Sequence, residues 1–115
     1  MSLNSLIINT LKPSGVPVKF QDLTETEKKS NPESYITFFE YNQRSAANAD
    51  DEEALTNHYI QVDVWSKGDY TNLVKQVKNS LKSVGFNRTF ETELYEPDTK
   101  TYHKVIRLNY ITGGN

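Results

Sequence analysis

At 115 residues the chain has the length of one domain around a single core. A net charge of -2 and a pI near 5.7 supply no overall basic field of the kind that holds nucleic acid nonspecifically. The lack of cysteine removes disulfides, thiolate metal sites and cysteine nucleophiles together, and fits a cytoplasmic protein.

Leu3, Leu6, Ile7 and Leu11 recur at helical spacing, which predicts a first helix over residues 3–11, ending ahead of Pro13 and Gly15. No apolar run approaches the roughly 20 residues of a membrane span, and the start lacks the charged and apolar regions of a signal peptide. Residues 16–20 are a brief apolar run, and Pro17, which lacks a ladder donor, places any strand there at a sheet edge. Residues 21–34 are polar and read as loop with a helical turn near 24–29. Residues 35–41 are strongly β-prone, with Ile36 and Phe38 on one face and Tyr35, Phe39 and Tyr41 on the other. Residues 42–56, with Asp50, Asp51, Glu52 and Glu53 at their centre, read as a long acidic loop, functional or disordered.

The stretch from 57 to 85 organises the rest. His58, Ile60, Val62 and Val64 alternate with Tyr59, Gln61, Asp63 and Trp65, which describes a half-buried strand with an aliphatic inner face. Leu73, Val77 and Leu81, with Val74 and Val84 beside them, then form one helical stripe, and Lys75, Lys78 and Lys82 fall opposite it. Ser66 and Asp69 form an S-x-x-D pattern suited to capping the helix, Asp69 can itself be the cap, and Gly85 suits the left-handed residue that closes it.

Residues 88–96 and 101–111 read as a hairpin about the turn-forming set Pro97, Asp98, Thr99 and Lys100. The inward sets are expected to be Phe90, Thr92 and Leu94 on one strand, and Tyr102, Ile106, Leu108 and Tyr110 on the other. A symmetric four-residue loop would put these sets on opposite faces. An odd-length connection or a bulge is therefore expected to shift the pairing by one and bring Glu91 opposite Arg107. Residues 112–115 read as a mobile tail.

These elements add up to an α+β fold, an antiparallel or mixed sheet of four to five strands with two helices packed on one face, as a single domain over 1–115. The other face would carry Phe39, Tyr41, Tyr59, Trp65 and Tyr95. An uncovered aromatic cluster of this kind marks a partner or a second layer.

Catalytic signals are weak. His58 and His103 lie in predicted strands outside any metal-binding pattern, so they read as structural and no metal is expected. Glu91 and Glu93 could pair as acid and base, yet their alternation with Phe90, Thr92 and Leu94 describes a solvated face. No G-x-S-x-G, H-E-x-x-H or phosphate-cradling glycine loop is present, and no cofactor is expected. The stripe of Lys75, Lys78 and Lys82 reads either as a solvated face or as a surface for nucleic acid or an acidic neighbour.

The run from Tyr59 through Ile60, Gln61, Val62, Asp63, Val64 and Trp65 to Ser66, the lysine-bearing helix, and the segment from Tyr95 through Glu96, Pro97 and Asp98 to Lys104 carry a resemblance. Over residues 35–111 the chain resembles the tail-completion proteins of long-tailed bacteriophages, also called tail terminator or head-to-tail joining proteins. The resemblance implies a virion structural subunit and no enzyme. It further implies assembly in the host cytoplasm into a ring, commonly a hexamer, that links the tail tube to the head connector through shape and edge pairing. On that reading the aromatic strand surface (Phe39, Tyr41, Tyr59, Trp65, Tyr95) and the acidic loop (Asp50, Asp51, Glu52, Glu53) form the subunit interface, and neither a membrane nor direct nucleic-acid binding is expected. The competing reading is a small nucleic-acid-binding module using the lysine helix and exposed aromatics.

Overall fold

The computed structural model of the chain describes residues 2–45 and 55–113. Helix α1 (Leu3–Leu11) matches the predicted apolar spacing. Its N-terminus is capped by Ser2, whose hydroxyl accepts from the Ser5 amide, and a 3-10 turn at Lys12–Ser14 takes the chain past Pro13. Strand β1 (Val18–Phe20) follows, then a short helix α2 (Glu25–Lys29), which starts at a capping box between Thr24 and Glu27. Strands β2 (Ser34–Ser45) and β3 (Thr56–Ser66), helix α3 (Thr71–Ser83), and strands β4 (Asn87–Glu96) and β5 (Thr101–Thr112) complete the order. The sheet runs β1-β2-β3-β5-β4, with β1 parallel to β2 and every other pair antiparallel. It is thus a mixed α+β sheet with β1 at an edge, where Pro17 can be tolerated.

Helices α1 and α3 lie on the same side of this sheet. Ile7 and Leu11 of α1 and Val74, Val77 and Leu81 of α3 share one buried cluster with Ile36, Phe38, Ile60, Val62, Val64, Ile106 and Leu108 from the three central strands. Each such side chain contributes roughly 1.5–3 kcal/mol by leaving water, against a total stability of about 5–15 kcal/mol. The S-x-x-D pattern before α3 divides into two local devices. Asp69 Oδ1 accepts from the Thr71 amide at 3.0 Å, while the Ser66 hydroxyl accepts from the Gly68 amide at 3.2 Å. At the other end Gly85 takes φ +105°, and a Cβ there would sit 3.3 Å from the Tyr110 ring.

Two boundary expectations need correction, and one lies beyond what the structure describes. Residues 42–45 and Thr56, read as loop, are paired strand: Asn42 lies opposite Tyr59 and Ser45 opposite Thr56, beyond a bulge that sets Tyr41 out of register. Asp50, Asp51, Glu52 and Glu53 lie outside the described residues. Thr112, read as tail, is in β5, and its hydroxyl meets His58 Nε2 at 3.0 Å.

The hairpin keeps the symmetric register. Glu96 faces Thr101, Glu91 faces Ile106 and Phe90 faces Arg107, and the only shift falls at Thr89, near the far end of the pair. Phe90, Thr92 and Leu94 therefore turn away from the helices, with Phe90 and Leu94 half-exposed. Glu91 turns toward α3 instead, where Lys78 Nζ lies 3.2 Å from its carboxylate and Lys104 lies at 3.5 Å, with Arg88 also paired to it. β4 is an edge strand, so its helix-side positions need charge partners rather than a dry core, and turn geometry decides the register. Tyr95 moves with Glu91 and Glu93 to the helix side, packing on Tyr102 at 4.9 Å between ring centroids.

Candidate functional site

The sheet side opposite α1 and α3 is a continuous layer of aromatic and polar groups, built by the strand alternation that buries Ile60, Val62 and Val64 on the reverse. Tyr35, Trp65 and His103 sit directly opposite one another on β2, β3 and β5. Their rings stack in a row, with Tyr35 5.7 Å from Trp65 at 10° and Trp65 3.7 Å from His103 at 12°. The Trp65 indole N–H donates to the buried Thr37 hydroxyl at 3.0 Å, which fixes the ring.

Beside this row lies Asp63, only 4% exposed, whose Oδ1 accepts from His103 Nε2 at 2.7 Å and from Gln61 Nε2 at 2.9 Å. The other end of the Gln61 amide accepts from Arg107 Nε at 3.2 Å. Arg107 is exposed and lies over two rings, its guanidinium carbon 5.0 Å from the Tyr41 centroid and 5.9 Å from that of Phe90. Tyr41 in turn packs on Tyr59 at 6.0 Å. A hydrogen-bonded line from Arg107 through Gln61 and Asp63 to His103 thus crosses the face, bordered by aromatic rings along its length.

Of the aromatic positions predicted for this face, Phe39, Tyr41, Tyr59 and Trp65 come together on it, and Tyr95 does not. Asp63, Gln61, His103 and Arg107 are the residues that sequence reasoning passed over. Their only signal was position, since each falls on the non-aliphatic parity of its strand.

The helix side holds the remaining candidates. Of the lysine stripe, Lys75 and Lys82 are exposed, while Lys78 is engaged with Glu91. Partial burial alone would raise the Glu91 pKa, but the Lys78 hydrogen bond and the charges of Lys78, Lys104 and Arg88 outweigh it and hold the carboxyl below its ordinary value. Glu93 accepts from the Tyr70 hydroxyl, and burial together with that carboxylate pushes the Tyr70 hydroxyl well above its usual range. Glu91 and Glu93 are therefore each occupied by a structural partner on the helix side, where Glu91 is half-buried and Glu93 is exposed to solvent. His58 bridges Glu40, at 2.5 Å, and Thr112. Among the described residues no group of three or more His, Cys, Asp or Glu side chains is placed to hold a metal ion.

One sheet face is thus sealed by α1 and α3, and the other bears aromatic and polar groups, of which Tyr41, Phe90, Leu94 and Arg107 are exposed. A family model described as tail completion protein gp17 matches residues 22–113, and the chain belongs to that family. It is a structural protein of the bacteriophage virion type. The fold is also that of a chain in the structure "Virion of native gene transfer agent (GTA) particle", with a TM-score of 0.63 at 10% sequence identity, covering 97% of this chain and 95% of that one. A search of curated protein sequences found no match.

Proposed function

We propose that the protein is a tail-completion subunit that assembles with copies of itself into a ring and joins the tail tube to the head connector. The observation that carries this reading is the uncovered face. Exposed Phe90 and Tyr41 flank Arg107 there, and exposed Leu94 lies further along β4 on the same face, a mixture of aromatic, aliphatic and arginine side chains typical of the core of a protein interface. The structure of a gene transfer agent virion with the same fold supports a place in a phage-like particle.

The contact belongs on this face more than on the strand edges. β1 is only three residues long, and β4 carries the inward-pointing Glu91 and a bulge at Thr89, all devices that blunt an edge against strand pairing. The acidic run Asp50, Asp51, Glu52 and Glu53 stays in the proposal as a second contact between subunits, and deletion of residues 45–53 should weaken association.

Sedimentation velocity and native mass measurement, alone and with isolated tail tubes, test the proposal. A species at a fixed multiple of 13.2 kDa that images as a closed ring is expected. A 13.2 kDa monomer at every concentration, with or without tubes, would refute it.

A further inference from the structure

We infer that Arg107 is the anchor for a carboxylate of a neighbouring copy of this chain, presented by the β4–β5 turn at Glu96 and Asp98; the inference rests on the self-assembly proposed above. Arg107 differs from the other cations of the surface in how it is held. Its Nε is tied to Gln61, Gln61 is tied to Asp63, and the guanidinium plane is flanked by Tyr41 and Phe90. A guanidinium fixed in this way loses little further freedom on binding, and its two terminal nitrogens form a planar fork suited to a carboxylate. Among the described residues Arg107 has no carboxylate within 4 Å, which it shares with exposed Lys75 and Lys82, and it differs from those lysines in its hydrogen bond to Gln61 and its two flanking rings.

The complementary group is at the end of the same hairpin. Glu96 and Asp98 are exposed, and neither forms an ion pair among the described residues. From Thr101 to Arg107 the strand runs roughly 20 Å at about 3.3 Å per residue, too far for the turn to reach Arg107 of its own chain. The contact must therefore join two molecules. A contact between two different patches is made either head-to-tail, which on repetition gives a ring or a filament, or twice over in a twofold pair in which each Arg107 meets the other copy's turn; the ring proposed above requires the first.

The test is sedimentation equilibrium of four proteins: the parent, Arg107→Glu, a chain with Glu96→Lys and Asp98→Lys, and the chain combining all three changes. Unfolding midpoints confirm that each is folded, with Arg107→Gln as the substitute where Arg107→Glu is not. Self-association at least about tenfold weaker is expected for each single-patch variant, with recovery in the combined chain. Parental association in Arg107→Glu, or no recovery in the combined chain, overturns the assignment while leaving ring assembly standing. A parent that stays monomeric overturns both. If Arg107→Glu keeps its self-association and instead loses salt-sensitive binding to duplex DNA, the fork serves a phosphate and the assignment to a second copy fails.

Discussion

Val77 sits on the middle of α3, fully buried between that helix and the sheet. Truncation to alanine removes two methyl groups, worth about 1.6 kcal/mol at about 0.8 kcal/mol per buried carbon, and leaves a small void that raises the loss to about 1.5–3 kcal/mol. Replacement by aspartate forfeits the same apolar contact and also places a carboxylate among Phe38, Val62, Ile106 and Leu81, which costs several kcal/mol more whether the group stays charged or takes up a proton. Against a stability of about 5–15 kcal/mol, Val77→Ala should fold with a urea midpoint lowered by about 1–2 M at a slope near 1.5 kcal/mol per M. Val77→Asp should show no cooperative transition. The assay is urea unfolding followed by far-UV circular dichroism at neutral pH. A Val77→Asp protein with the parental midpoint would show that α3 does not seal the sheet.

His103→Ala removes both the stack on Trp65 and a donor to buried Asp63. Stability should fall by about 2–4 kcal/mol, and the emission of Trp65, the single tryptophan, should change; an unaltered spectrum would mean the stack is not populated in solution. Gly85→Ala should lose about 1–2 kcal/mol, because φ +105° and the nearby Tyr110 ring both resist a Cβ, and equal melting temperatures would contradict that. The Glu27 pKa is held down at about 2, first by the hydrogen bond from Lys19 and then by the Thr24 amide. A depressed carboxylate stabilises the fold above its unfolded pKa and loses that effect as pH falls through the folded value. The difference in melting temperature between the parent and Glu27→Gln should therefore be constant above about pH 4.5 and close toward pH 2, and a gap that persists at pH 2 would count against the interaction.

Much of the fold was legible because its signals are local and periodic. The spacing of Leu3, Leu6, Ile7 and Leu11 with Pro13 after it defined α1, and the alternation around Ile60, Val62 and Val64 defined the central strand. The hairpin register was not legible. Phe90, Thr92 and Leu94 look like a core-facing set, and only the three-dimensional placement of Lys78, Lys104 and Arg88 around Glu91 shows how the acidic parity is accommodated on the helix side. The extension of β2 to Ser45 was hidden for a related reason. Asn42, Gln43 and Arg44 are polar and exposed, so their pairing with β3 leaves no hydrophobic pattern. The aromatic part of the open face could be read from alternation, but the Arg107, Gln61, Asp63 and His103 line could not, because it connects residues about 40 positions apart through strand neighbours that composition does not reveal.

Hydroxyl-radical footprinting of the assembled particle against the isolated subunit bears most directly on where copies meet. Protection should appear at Tyr41, Phe90 and Leu94 and leave Ile8 and Lys82 on the outer side of the helices as reactive as in the free chain. Protection of the helix side, with Phe90 and Leu94 still fully reactive, would contradict assembly through the uncovered face.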